Sequence, residues 1–275
     1  MDIAARAQAF KTLHERPGTF VIPNPWDAGS AKLLAQLGFE ALATTSSGQA
    51  FTLGKPDGMG AVSREEALNS IAPIVSATPL PVSADLENGF GEAPEVCAET
   101  IRLAAKIGLV GGSIEDSTGR DNDPIFPFDL AVERVKAAVQ AARSQSFPFM
   151  LTARAENFLH GRTDLYDTLR RLEAFAAAGA DVLFAPGLKT REDIQAAVKA
   201  VAPKPVNVIM GLAGQTLSVS ELTDLGVKRI SLGSSLARAA YGAFLRAARE
   251  VKKDGSFNFA KDAVPFAEIN GMFKK

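Results

Sequence analysis

"LPVSADLENGFGE" (residues 80–92) is an apolar run that closes on two acids, Asp85 and Glu87, and then loosens through Gly89 and Gly91. A strand covered on both faces reads as a continuous apolar run rather than as an alternation. The acids therefore mark the C-terminal end of a buried strand. Seven further short apolar runs recur along the chain: TFVIP (19–23), EALATT (40–45), GGSIE (111–115), FMLTAR (149–154), DVLFA (181–185), PVNVI (205–209) and KRISLG (228–233). Helical patterns lie between them at 27–37, 63–76, 92–107, 128–143, 164–178, 190–201, 216–225 and 234–251, and an extra helix at 3–15 precedes the first strand.

Eight alternations of strand and helix predict parallel βα units. Eight is also the count at which such a sheet closes into an α/β (β/α)8 TIM-type barrel. The glycines in AQLGFEAL, AKIGLVGG, AAAGADVLF and TDLGVKRI mark helix stops, where Gly takes the left-handed cap. A doubly wound open sheet is the alternative, but it usually carries a glycine-rich dinucleotide turn after its first strand, and VIPNPWDAGS has none. No linker or low-complexity tract interrupts the chain. The expectation is a single barrel domain over 1–275, with its core at 18–250 and a tail at 251–275.

Composition narrows the function classes. The 275 residues are 47% hydrophobic and 22% charged, an ordinary globular balance. A net charge of −1 gives no footprint for nucleic acid or an acidic membrane surface. The single cysteine, Cys97, excludes an intrachain disulfide and a cysteine-rich zinc site. Within APEVCAETIRLAAK it reads as a helix-core residue. The N-terminal segment reads as a helix rather than a signal peptide, and no apolar run approaches the roughly 20 residues of a membrane span, so the expected address is the cytoplasm.

A barrel of this type places its active site at the C-terminal strand ends. In chain order those ends offer Asn24 and Trp26; Thr45, Ser46, Ser47 and Gly48; Asp85 and Glu87; Glu115 and Asp116; Arg154 and Glu156; Ala185 and Pro186; Asn207; and Gly233 with Ser234. The opposite ends read as Pro, Gly and surface charge. On an extended backbone Asp85 and Glu87 point the same way, and Glu115 comes from the next strand. Three close carboxylates need a counter-charge, and oxygen-only ligands favour Mg²⁺, or Mn²⁺, over zinc. The competing reading makes these acids helix caps and loop salt bridges. Asp116, one residue on, points away and reads as a structural partner.

Arg154 must be paired. Glu156 or Glu115 would satisfy it structurally; a bidentate clamp on a substrate carboxylate is the favoured expectation. TTSSGQ offers hydroxyls and N–H groups around Gly48 as an anion nest, or is only a turn. His14 is expected at the surface of the first helix, and His160 as a loop or cap residue rather than a general base. No strand end carries the lysine that a Schiff-base aldolase needs.

NPWDAGSAKLLAQLGFEALATTSSG, LPVSADLENGFG, GGSIEDS, LTARAENFLHGR and AGADVLFAPG together resemble the isocitrate lyase/phosphoenolpyruvate mutase superfamily over residues 18 to 250. The resemblance implies a Mg²⁺-dependent barrel that makes or breaks C–C or P–C bonds in small 2-oxo or 2-hydroxy carboxylates through an enolate-like species. It also implies a homotetramer, a dimer of dimers that exchange their last barrel helix. Carried over by position, the metal cluster falls on Asp85, Glu87 (usually Asp) and Glu115, with catalytic roles for Asp57, Arg154 and Glu115. Substrate binding falls on Thr45, Ser46, Ser47, Gly48, Asp85, Arg154 and Asn207. Lyases of the superfamily carry a Lys-Lys/Arg-Cys-Gly-His loop after strand four. Here that loop is STGRDNDPIFPFDL (117–130), without Cys or His, and its Arg120 and Asn122 resemble the gating loop of the phosphonopyruvate branch. Carbon–carbon cleavage or decarboxylation of a di-acid ranks first, P–C chemistry second, and a catalytically silent oxo-acid-binding barrel third.

Overall fold

The computed structural model describes residues 2–214 and 216–274. In chain order the elements are α1 (Ile3–Glu15), β1 (Phe20–Ile22), α2 (Ala28–Gln36), β2 (Leu42–Ala43), α3 (Ser46–Thr52), α4 (Arg64–Ser76), β3 (Val82–Asp85), α5 (Pro94–Lys106), β4 (Gly111–Glu115), α6 (Phe128–Arg143), β5 (Met150–Arg154), α7 (Leu165–Ala177), β6 (Val182–Phe184), α8 (Arg191–Val201), β7 (Val206–Ile209), α9 (Val219–Asp224), β8 (Arg229–Ser231), α10 (Ser235–Asp254) and α11 (Phe266–Met272). Each predicted strand and each predicted helix is present.

The sheet order is β1-β8-β7-β6-β5-β4-β3-β2, and every pairing is parallel. The two ends of that order meet. Ala43 N–H donates to the Pro23 carbonyl at 3.1 Å, although no ladder forms there. The buried Asn24 stitches the seam: its Nδ2 donates to the Thr44 carbonyl (2.9 Å), and its Oδ1 accepts from Leu232 N–H (2.8 Å) and Gly233 N–H (2.9 Å). The sheet is thus a nearly closed (β/α)8 barrel.

Helix faces that carry Ile71, Ile101, Ala138, Leu172, Phe175 and Ile194 are buried against the strands. Each large apolar side chain removed from water contributes about 1.5–3 kcal/mol. Capping boxes at Asp27, Ser63 and Ser218 satisfy the first N–H groups of α2, α4 and α9. Gly108 (φ +93°) and Gly179 (φ +102°) end α5 and α7 in the left-handed region, as the glycine spacing predicts.

Three expectations change. EALATT supplies only a two-residue strand, because Ser46–Thr52 folds into α3 rather than a turn. Thr45 is its N-cap and accepts from Gly48 N–H at 3.4 Å. The tail is not a bare extension: α10 runs on to Asp254, and α11 packs on α2, where Gln36 Nε2 donates to the Met272 carbonyl and Phe273 lies against Gly29.

His14 is buried rather than at the surface. It lies four residues after Phe10, on the face of α1 that plugs the barrel floor. Its Nδ1 lies 2.8 Å from the Phe10 carbonyl, and its ring stands edge-on to Phe10 and Phe20. Its Nε2 lies 3.3 Å from Arg229 NH1. A guanidinium only donates, so Nε2 accepts and the proton sits on Nδ1. Burial, then the Arg229 charge, lowers this histidine to about 3, so it stays neutral. Among the described residues no helix is long and apolar enough to cross a membrane.

Candidate active site

The C-terminal ends of the strands open into a cavity of about 380 Å³. Thr45, Ser46, Ser47, Asp57, Asp85, Glu87, Glu115, Arg154 and Asn207 all line it. Gly48 lies just behind, buried in the first turn of α3. Six chain segments that are distant in sequence thus deliver the predicted residues to one mouth.

Arg154, the last residue of β5, is the centre. Its Nε donates to Glu156 (2.9 Å), NH1 to Asp85 Oδ1 (2.8 Å), and NH2 lies 3.0 Å from Glu115 Oε2. Register explains the convergence, since Glu115 pairs with Arg154 across β4 and β5. All four side chains are largely buried. Burial opposes the charge on Arg154, yet Glu156, Glu115 and Asp85 carry its pKa well above the ordinary value. Burial raises Asp85, but Arg154 and the Ser46 hydrogen bonds outweigh it and leave Asp85 below its ordinary value. Ser46 supplies its hydroxyl at 3.0 Å and its N–H at 3.4 Å to Asp85 Oδ2. Burial drives Glu115 well above the carboxylate range despite Arg154.

The two arginine readings are therefore not exclusive. Arg154 is satisfied by its own chain, as the structural reading holds. It spends one N–H per nitrogen on these acids, and a guanidinium has five, so one on each terminal nitrogen is not used by them.

Glu87 is not placed by strand alternation. β3 ends at Asp85, and Glu87 follows in the left-handed region at φ +48°. A non-glycine residue held there costs of order 1 kcal/mol, as at many functional sites. Burial, then Asp85 and Asp57, raises the Glu87 carboxyl to about 7. Asp57 reaches the lip from the loop before α4 and accepts from the Ser47 hydroxyl.

Among the described residues no three His, Cys, Asp or Glu side chains form a ready-made ligand cage. The expected three-carboxylate cage is thus not preformed, because the Arg154 fork lies between Asp85 and Glu115. The donor set still suits a hard dication. Asp85, Glu115 and Glu156 surround one guanidinium and Glu87 lines the same cavity, and Mg²⁺ takes few direct carboxylates and keeps several waters.

Other expectations separate cleanly. Asp116 is buried, accepts from Glu156 N–H (2.8 Å) and pairs with Arg171 (3.0 Å), so it braces the end of β5. Cys97 is fully buried in α5. Lys228 binds the Arg16 and Gly18 carbonyls at the barrel floor, and no lysine is among the described residues lining the cavity. The loop after β4 is a hairpin closed by a Ser117–Ile125 bridge. Arg120 is held there by Glu92 and Asp123 and faces a neighbouring cavity, and Asn122 is exposed; neither joins the Arg154 cluster.

One residue escaped the sequence reading. Arg229 opens β8 but turns into the barrel, where its Nε donates to Asn207 Oδ1 (2.8 Å) and NH2 to Thr152 Oγ1 (2.9 Å). Asn207 in turn donates to Ser231 Oγ (2.9 Å), so it is tied into this interior network while it lines the cavity. Burial lowers Arg229 to about 9, and no carboxylate pairs with it among the described residues. The Arg229-x-Ser231 alternation was the available signal for an inward-facing arginine. His160 sits in the 3-10 turn Asn157–His160, the loop position expected of it, and it lines the cavity.

Residues 10–252 match the family described as phosphoenolpyruvate phosphomutase. A crystal structure from Burkholderia cenocepacia J2315, provisionally described as a lyase/mutase, is 60% identical, covers 99% of this chain and 97% of its own, and superposes with a TM-score of 0.96. A 2,3-dimethylmalate lyase, described as a PEP mutase/isocitrate lyase superfamily member, is 26% identical over 97% of this chain and 94% of its own, with a TM-score of 0.86. The 2-methylisocitrate lyase of Shewanella oneidensis is 32% identical over 240 residues, 82% of this chain and 78% of its own. Sequence, barrel and mouth agree: the chain belongs to the phosphoenolpyruvate phosphomutase family, within the PEP mutase/isocitrate lyase superfamily of lyases and mutases.

Proposed function

We propose that the chain is a Mg²⁺-dependent carbon–carbon lyase that cleaves or decarboxylates a small 2-oxo or 2-hydroxy di-acid through an enolate-like intermediate. The observation that carries this reading is the buried Arg154 fork, which gathers acids from β3, β4 and the turn after β5 at one cavity. Asp85, Glu87 and Glu115 would hold Mg²⁺, or Mn²⁺, directly or through water. Such an ion, when bound, polarises a carbonyl oxygen as a Lewis acid. The two free N–H groups of Arg154 and the Ser46–Gly48 turn hold and orient the substrate carboxylate, and Thr45 and Asn207 shape the pocket around it. Asp57, anchored by Ser47, orients water or a leaving group at the lip. These groups are set in place before reaction, so they stabilise charge that develops in the transition state more than the ground state.

The C–C reading is preferred over P–C chemistry because Arg120 is engaged by Glu92 and Asp123 rather than turned to the site. We further propose a cytoplasmic enzyme that assembles as a dimer of helix-exchanged dimers. Supporting this, α10 buries only Ala237 among its described residues and exposes Phe244 and Leu245. The test is a product screen with oxaloacetate, 2,3-dimethylmalate, 2-methylisocitrate and phosphonopyruvate, with and without Mg²⁺. Mg²⁺-dependent release of a 2-oxo acid from a di-acid supports the reading. Turnover of phosphonopyruvate alone overturns the choice of bond.

A further inference from the structure

The proposed reaction ends in an enolate that must gain a proton, and the loop after β4 lacks the Cys that the lyases carry there. Most acids at the mouth are already committed. Asp85, Glu115 and Glu156 are bound to Arg154, and Asp57 accepts from Ser47. His160 is in no ion pair among the described residues, and histidine is the side chain that most readily gives and takes a proton near neutrality.

The surroundings of His160 are specific. Its Nε2 lies 3.2 Å from Ser117 Oγ. Ser117 is buried and lines the cavity, and His160, which lines it too, is exposed to solvent. The hairpin fixes Ser117: it bridges to Ile125, and Thr118 N–H donates to the Pro124 carbonyl at 2.8 Å. Gly119 N–H donates to Ser117 Oγ at 3.4 Å. A hydroxyl has two acceptor lone pairs and one proton. With Gly119 N–H on one lone pair and His160 Nε2–H on the other, the hydroxyl proton is left for the cavity.

We infer that Ser117 and His160 form the proton-delivery relay of this site, an inference that rests on the enolate reading above. When the bond beside the carbonyl breaks, its electron pair remains in the enolate. The Ser117 O–H bond then breaks as a C–H bond forms at the enolate carbon. The Ser117 oxygen takes the Nε2 proton of the His160 imidazolium, and the neutral ring regains a proton from solvent on its exposed side. Histidine and serine thus divide between them the task of an acid that must meet both water and substrate.

The relay run in reverse predicts that the intact protein with Mg²⁺ exchanges the methyl protons of pyruvate for deuterium in D₂O, followed by loss of the proton NMR signal. His160→Gln keeps a donor to Ser117 but carries no transferable charge, and Ser117→Ala removes the hydroxyl. Each is expected to slow exchange by about 100-fold or more, the range of general acid–base contributions. Affinity for oxalate, a planar mimic of pyruvate enolate, is expected to stay within about threefold, well under 1 kcal/mol of binding energy. Exchange at the wild-type rate in His160→Gln overturns the relay and leaves the enolate reading intact. Loss of oxalate affinity together with exchange makes His160 a binding residue and also overturns it. No exchange by the wild type removes the enolate reading itself, and the relay with it.

Discussion

Replacing Arg154 by Met is the severest single test of how the mouth is held together. Met keeps most of the side-chain volume and removes three contacts at once, to Glu156, Asp85 and Glu115, at 2.9, 2.8 and 3.0 Å. All three acids are largely buried, so they have little water to turn to. Removing one partner of a buried ion pair costs about 3–5 kcal/mol, because the charge left behind is uncompensated. For a chain of this size that is a fall of about 6–20 °C in Tm. The penalty has a pH signature. Without the guanidinium the folded acids hold protons that the unfolded chain has released, so the unfolded state binds fewer protons and stability falls as pH rises. The deficit against wild type therefore grows from about pH 5 to pH 8, above the ordinary carboxylate values. Calorimetric or fluorescence melting across that range measures it, and millimolar Mg²⁺ should recover part of the loss by supplying a counter-charge. A variant that melts within about 2 °C of wild type at every pH, a change under 1 kcal/mol, would refute the claim that Arg154 neutralises the cluster.

His14 gives a second pH prediction of opposite sign. The unfolded histidine takes a proton near 6.5, whereas the buried one refuses it until about 3. The unfolded state therefore binds more protons between those values, and stability is full above 6.5 and is lost as pH falls toward 3. His14→Phe should flatten that acid slope in urea titrations. At neutral pH it should cost about 1–3 kcal/mol, because Arg229 NH1 loses its acceptor. An unchanged slope would mean that His14 is not buried neutral. Gly48→Ala tests the carboxylate turn: a Cβ there meets Thr45 Cγ2 at 2.7 Å and Trp26 Cβ at 2.8 Å. Overpacking of this kind costs about 1–3 kcal/mol, and the displaced Ser46 and Ser47 should raise KM; a variant with wild-type Tm and KM contradicts the placement.

Strands and helices were legible because burial on both faces leaves continuous apolar runs, and glycines punctuate the helix ends. Asp85, Glu115 and Arg154 were legible because each charge closes such a run. What failed depended on contacts between elements distant in sequence. His14 looks like a surface residue until the barrel floor is known to receive α1, and Arg229 looks like strand-end charge until Asn207, Thr152 and His14 surround it. α3 was missed because TTSSGQ satisfies turn rules as well as N-cap rules, and only Trp26, Ala237 and Asp85 around it decide for a helix. The pointing of Glu87 could not be read from alternation, because the strand stops two residues earlier and the backbone turns left-handed.

The most direct test of the account is a titration of Mn²⁺ into the protein with saturating oxalate, followed by electron paramagnetic resonance, for wild type and Asp85→Asn. The account predicts one site per chain in the wild type, displaced by Mg²⁺, and an affinity at least about tenfold weaker in Asp85→Asn, a loss of 1.4 kcal/mol or more. Stoichiometric Mn²⁺ binding that is indifferent to Asp85→Asn, or none in the wild type, would contradict the claim that acids from β3 and β4 hold the ion that prepares the substrate.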